Sequence, residues 1–381
     1  MSHDESDESC EQEDKLGSGV EAEEIGINKP FDPIKIKVET KQMSLDTLVK
    51  RIKEGEIDLS PNFQRNEVWK KPAKCRLIES LLIRIPLPAF YMDATNEEHW
   101  LVVDGLQRLS TLRDFILNGT LDLTDLEYLK YLEGKKFENL PRNYQRRIEE
   151  TQVTVYLIEK GTPDDVKFNI FKRINTGGLP LSSQEIRHAL YQGPATDFIK
   201  SLAESKEFRK ATANGIRDQR MSDRECVLRF FAFILTPYQK YPKYPDDDLD
   251  AFLGNTMSKL NSMKPNELMD LEYRFTRTMR FATEIFRNRA FRKESRGSFA
   301  RSPINKALFE AWSINLASLE DKEHKLLVER HKLLKEKFLD LMDEYDFFNA
   351  VTQGTGSWQR VQIRFEAIHR IIQETLQEPQ P

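Results

Sequence analysis

At 381 residues the chain has room for two ordinary domains. Its 39% hydrophobic and 31% charged content suits a helix-rich globular protein with much charged surface. Apolar runs such as Phe230 to Leu235 are too short for a membrane span, and the acidic first residues exclude a secretory signal. Three scattered cysteines, Cys10, Cys75 and Cys226, exclude a disulfide framework or zinc knuckle and point to a reducing, cytoplasmic setting.

The formal charge of −4 is unevenly spread. Residues 1–25 hold ten carboxylates against Lys15 and carry −9, which leaves +5 on the remainder. Without aromatics, residues 1–28 are expected to be a disordered acidic tail. Such a tail is either a solubilising leader or an internal decoy that competes with an anionic ligand for a basic groove.

Ordered structure is expected from about residue 34, where Ile34 to Val38 alternates like a strand. Ser44 caps a helix through Lys53 with Leu45, Leu48, Val49 and Ile52 on one face. After Phe63-Gln64-Arg65 and Trp69, Pro72 opens a helix that buries Leu77, Ile78, Leu81, Leu82 and Ile85. Ala89 to Met92 and Trp100 to Val103 read as strands. The next helix, with Leu106, Leu109, Leu112 and Ile116 at helical spacing, stops at Asn118-Gly119. Short helices fill 120–150 and Val153 to Ile158 is a strand. Pro163 opens a helix with Val166, Ile170, Phe171 and Ile174 inward, and Ser182 with Glu185 forms a capping box for the one after. Beyond Gln192 the segments 195–210, 222–236, 247–261, 266–292, 303–318, 320–345 and 357–377 all read as helices, with Pro237 to Pro245 as a proline-tyrosine linker.

Four constellations carry chemistry. Asp104-Gly105-Leu106-Gln107-Arg108 joins a strand to a helix through a glycine turn, where backbone N–H groups, an arginine fork and a carboxylate meet. Asp104 is open to three roles: holding Mg²⁺, orienting a water, or capping the helix. Gln64 and Arg65 sit at a polar kink with Trp69 as stacking platform or core anchor. Asn175-Thr176-Gly177-Gly178 is a glycine loop after a helix, a plain C-cap unless its amides face a ligand. Finally, a helix from Arg274 to Arg301 carries nine basic residues against Glu284 and Glu294. It reads as a solvated face or as a nucleic-acid footprint made by Arg287, Arg289, Arg292, Lys293 and Arg296. His3, His99, His188, His324, His331 and His369 form no metal-spaced pair, and no self-contained HNH nuclease, Walker loop or nucleophile elbow is found.

The first three constellations, in this order, resemble the GmrSD-type restriction endonuclease N-terminal domain family, whose hallmark is Asp-Gly-Gln-Gln-Arg before a leucine-bearing helix. The likeness runs over roughly residues 40–320. It implies an α+β fold: a ParB/sulfiredoxin-like nucleotide-binding core over 29–192, followed by an all-helical domain over 193–381. It also implies a nucleoside triphosphate with Mg²⁺ as ligand, a place in DNA processing or anti-phage defence, and DNA and a separate nuclease or modification protein as partners. By the same resemblance Asp104, Gln107 and Arg108 are catalytic, with Asp104 at the metal. Gln64, Arg65, Gly105, Arg108, Asn175 and Thr176 bind the nucleotide. Leu106 stands where the hallmark has its first glutamine, which sets an NTPase against a non-enzymatic DNA-binding or adaptor protein; a nuclease built on the core itself is a third reading.

Overall fold

The structure, a computed structural model, describes residues 19–21, 36–59, 69–174, 181–216, 220–243, 246–298 and 300–378. Gln64, Arg65, Asn175 and Thr176 lie outside the described residues, as does most of the acidic tail. Two compact units divide the chain between Leu190 and Tyr191.

The first unit is built on a five-stranded sheet in the order β1-β5-β3-β4-β2. Its strands are β1 (Val38–Ser44), β2 (Ile57–Asp58), β3 (Phe90–Asp93), β4 (Trp100–Asp104) and β5 (Gln152–Ile158). β1 runs antiparallel to β5, β5 parallel to β3, β3 antiparallel to β4, and β4 parallel to β2. The sheet is thus mixed, and with the helices around it the unit is α+β. β1 begins at Val38, where the expected strand ended. It pairs along β5 with Val38 opposite Ile158 and Ser44 opposite Gln152.

Both sheet faces are covered. One face packs Phe90, Met92, Trp100, Val102, Val153, Val155 and Leu157 against α1 (Leu45–Lys53), α2 (Lys71–Leu82), α3 (Leu106–Leu112) and the irregular segment around Leu121 to Leu140. The other packs Val103 and Ile158 against α5 (Asp164–Ile174) and α6 (Ser183–Leu190). A short helix α4 (Arg142–Glu149) precedes β5. The caps follow the sequence. The Thr47 amide donates to Ser44 Oγ at 3.2 Å, and Ser182 and Glu185 bond reciprocally at 2.5 and 3.1 Å. Ile85, expected inside, is 50% exposed: α2 stops at Leu82 and Arg84 turns the chain with a φ of 68°.

The second unit is helical: α7 (Pro194–Ala203), α8 (Lys206–Ala211), α9 (Ser222–Leu235), α10 (Leu249–Asn261), α11 (Pro265–Phe286), α12 (Lys306–Ala317), α13 (Asp321–Glu329), α14 (His331–Asp343), α15 (Tyr345–Thr352) and α16 (Trp358–Gln377). Its core is rich in aromatics such as Phe208, Phe230, Phe275, Phe309, Trp312 and Phe365. The expected linker is packed rather than loose, since Tyr241 is buried and its hydroxyl donates to Gly356 O at 2.7 Å. Gly19–Glu21 belong to this unit and depart from the expected disorder of the tail. Val20 forms a parallel bridge with Ile304, and Glu21 meets Lys293 at 2.6 Å. No helix among the described residues is long and apolar enough to cross a membrane.

Candidate functional site

The site of interest lies where β4 ends. Asp104 is its last residue, and a register shift between Tyr91 and Met92 puts Asp104 opposite Tyr91 while Val102 stays opposite Met92. Val103 is therefore an extra residue, a β-bulge. Simple alternation would place Asp104 with Val102, on the face covered by α1 and α2. The bulge resets it to the register of Tyr91, whose ring stacks on Tyr156 at 4.8 Å. Bulges commonly re-aim a side chain beside a functional site, and this one does so for the carboxylate.

Gly105 follows with a φ of 104°, a conformation that strains any residue with a Cβ. A Cβ there would lie 2.4 Å from the ring of Phe90. The glycine thus serves both the turn and the close approach of α3 to β3. Leu106, the departure from the family hallmark, is half-buried and packs onto the same core as Phe90.

Arg108 is buried and engaged. Its guanidinium donates to Pro88 O, to Ala89 O at 3.2 Å and to Asp104 Oδ2 at 2.8 Å, and it lies over the Phe90 ring at 4.6 Å. With these bonds to two carbonyls and a carboxylate, Arg108 ties the chain before β3 to the end of β4 and holds Asp104. Gln107 also points at protein, with Oε1 accepting from the Trp69 amide at 3.1 Å. It holds the backbone at Trp69, just before α2, a role the sequence did not suggest.

Asp104 keeps 27% of its side chain exposed, against 10% for Arg108. Burial pushes its carboxyl above the usual carboxylate range, although the Arg108 charge and hydrogen bonds from Gly105 N–H and Arg108 pull the other way. Burial also lowers the Arg108 guanidinium, against the pull of Asp104. The Tyr91 phenol is raised by burial, then by Tyr156 and Asp104. A half-open carboxylate with a raised pKa, held by a buried arginine, is the pattern of a group set up to exchange a proton or accept a cation.

The expected basic helix from Arg274 to Arg301 does not form as such. α11 ends at Phe286, Arg287 caps it with a φ of 55°, and Phe291 turns back with a φ of 64°. Ala290 and Phe291 are thereby buried, which outweighs the helical pattern. Arg292 is buried as well, donating to Ser302 O and, at 3.0 Å, to Thr212 O. Burial, with Arg301 and Arg289 nearby, lowers its pKa to about 10. Gly215 makes room for it, since a Cβ there would lie 2.2 Å from its guanidinium. Lys293 pairs with Glu21, and Arg296 with Glu336 at 2.9 Å, with Asp340, and with Asp343 at 3.7 Å. Three of the five proposed nucleic-acid contacts are thus engaged within the protein.

Residues 45–192 match the family model of the GmrSD restriction endonuclease, N-terminal domain. This segment belongs to the GmrSD-type N-terminal domain family. It holds the whole Asp104 site, and it ties the first unit to restriction and anti-phage defence. None of the curated proteins matches the chain.

Proposed function

We propose that this GmrSD-type domain binds a nucleoside triphosphate and hydrolyses it in the course of DNA processing or defence, with a separate protein as effector. The observation that carries the reading is Asp104: a carboxylate re-aimed by a bulge, partly open, raised in pKa and braced by a buried arginine. Among the described residues no cluster of three metal-ligating side chains exists. That suits Mg²⁺, which takes one or two carboxylates and completes its shell with waters and phosphates. Asp104 would hold that ion, which when bound neutralises phosphate charge. Arg108 acts as a positioning residue for Asp104, and Gln107 for the backbone at Trp69. Gln64 and Arg65, with Asn175 and Thr176, are assigned to the nucleotide by family resemblance.

The test is a panel of the four nucleoside triphosphates with Mg²⁺, read by thermal shift and phosphate release. Binding is expected for the parent, turnover is expected to vanish in Asp104→Asn with binding retained, and Arg108→Lys is expected to lose most turnover because lysine cannot span both carbonyls and the carboxylate. A parent protein that neither binds nor hydrolyses any of the four sinks the proposal. Leu106 favours a second reading, a DNA-binding adaptor without turnover, since it packs on the core where the family hallmark places a glutamine. That reading predicts binding without phosphate release, and no gain of release in the parent at any nucleotide concentration.

A further inference from the structure

Gly19–Glu21 lie on the helical unit as an added strand. Val20 pairs in parallel with Ile304, which itself pairs antiparallel with Arg292. Three backbone hydrogen bonds hold the segment. The Gly19 amide donates to Gly215 O at 2.6 Å, the Ile304 amide to Gly19 O at 3.0 Å, and the Glu21 amide to Ile304 O at 2.8 Å. Val20 packs on the aromatic core of the unit. The Glu21 carboxylate is held from two sides: Lys293 Nζ lies 2.6 Å from one oxygen, and Asn305 Nδ2 donates to the other at 2.6 Å. Asn305 is only 3% exposed and is fixed in place. Its Oδ1 caps α12 by accepting the Leu308 amide at 2.8 Å, and its Nδ2 also donates to Val351 O at 2.7 Å. The neighbouring Glu294 faces Lys335 instead, at 3.7 Å. Gly19 takes a φ of 112°, a backbone conformation that a side chain would strain.

We infer that the helical unit carries a peptide-recognition site that reads Gly-aliphatic-Glu in extended form, and that residues 19–21 occupy it in cis as an exchangeable ligand. In strand addition the backbone bonds supply affinity and the seats for side chains supply specificity. Each position of this segment has its own selector. The left-handed backbone selects glycine, the core selects an aliphatic side chain, and Lys293 with Asn305 selects a carboxylate through charge-assisted hydrogen bonds. Contacts from three residues bind weakly in a free peptide. Tethering raises the local concentration of the same residues to the order of mM, so the chain's own segment keeps the seat until it is loosened. A partner protein that presents the same three residues competes for it. The site lies apart from the chemistry of Asp104, and its test needs no nucleoside triphosphate.

The experiment is fluorescence anisotropy of a labelled peptide, residues 15–25 of the chain, with two full-length proteins: the parent, and a loosened chain carrying Val20→Asp and Glu21→Ala. The loosened chain is expected to bind the peptide at least about tenfold more tightly than the parent, whose own segment competes. Peptides carrying Gly19→Val or Glu21→Gln are expected to bind the loosened chain about fivefold or more weakly. Adding Lys293→Glu to the loosened chain is expected to abolish binding of the unaltered peptide and to shift preference to a Glu21→Lys peptide. A circular-dichroism melt checks that the variants fold. The inference is overturned if the folded loosened chain does not bind the peptide up to about 1 mM, if the parent binds it equally well, or if the altered peptides bind as tightly as the unaltered one. A loosened chain that fails to fold also overturns it, because the segment is then a structural strand and not a ligand. A parent that is dimeric by size exclusion and turns monomeric on loosening gives the segment to a second copy and overturns the cis occupancy.

Discussion

Two acid–arginine pairs one helical turn apart, Asp104–Arg108 in the first unit and Glu225–Arg229 in the second, have been put to opposite uses. In the helical unit Arg229 meets Glu225 at 2.7 Å and Glu310 at 2.6 Å; Arg364 also holds Glu310, and Lys306 meets Glu225 at 3.0 Å. Arg229, Glu310 and Arg364 are all fully buried, and each carboxylate meets two cations. Asp104 has one arginine and an open side. The sealed network fixes how α9, α12 and α16 pack. The open pair leaves a carboxylate able to do chemistry, at a cost in desolvation that the sealed network offsets with further partners.

The sharpest way to break this comparison is Glu310→Ala, which strands Arg229 and Arg364 without their shared acceptor. A loss of about 3–5 kcal/mol is expected, read as a lower urea midpoint; an unchanged midpoint would show the network to be dispensable. Next is Gly105→Ala, which forces a Cβ into the left-handed turn and against Phe90. About 2–4 kcal/mol is expected, and Phe90→Leu in the same chain is expected to recover part of it. Glu79 comes third. Burial opposes its ionisation, but three backbone donors outweigh that and hold its carboxyl below the usual range. Its contribution is therefore complete above the ordinary carboxylate pKa and lost as pH falls through the depressed one. Glu79→Gln is expected to cost about 1–3 kcal/mol at neutral pH and less in acid, which urea melts at the two pH values would reveal.

The smallest effect is expected at the open pair itself. The folded chain holds the Asp104 proton more tightly than the unfolded chain does, so ionisation costs native stability as pH rises through the carboxylate range. Asp104→Asn removes that cost and is expected to change stability by less than about 1 kcal/mol, on the stabilising side, at neutral pH. A large loss of stability in this variant would place Asp104 with the structural pairs instead.

The elements with strong local signals were readable from residues alone. Ser44 and Ser182 announce their helices through side chains that bond their own first turns, and β5 alternates because Val153, Val155 and Leu157 are buried in the core while Thr154 and Tyr156 on the other face are only half-buried. What escaped was decided by partners distant in sequence. β2 is two residues held by β4. α15 lies between the segments 320–345 and 357–377, and the single helical pattern over 320–345 breaks at Arg330 into α13 and α14. The end of α11 is set by the burial of Phe291 and Arg292. At the site, Asp104 and Gly105 were legible as a strand-to-helix turn, but nothing local distinguishes an arginine bonded to Pro88 and Ala89 from one free to grip a phosphate.

The bulge at Val103 has a consequence for how this domain can vary. The position of Asp104 depends on Val103 staying unpaired and not on the chemistry of that residue. Exchanging Val103 for isoleucine keeps the carboxylate where it is, whereas closing the bulge at the same length, so that Val103 pairs with Tyr91, turns Asp104 to the opposite side of the sheet. Register, more than identity, is what this strand has to keep.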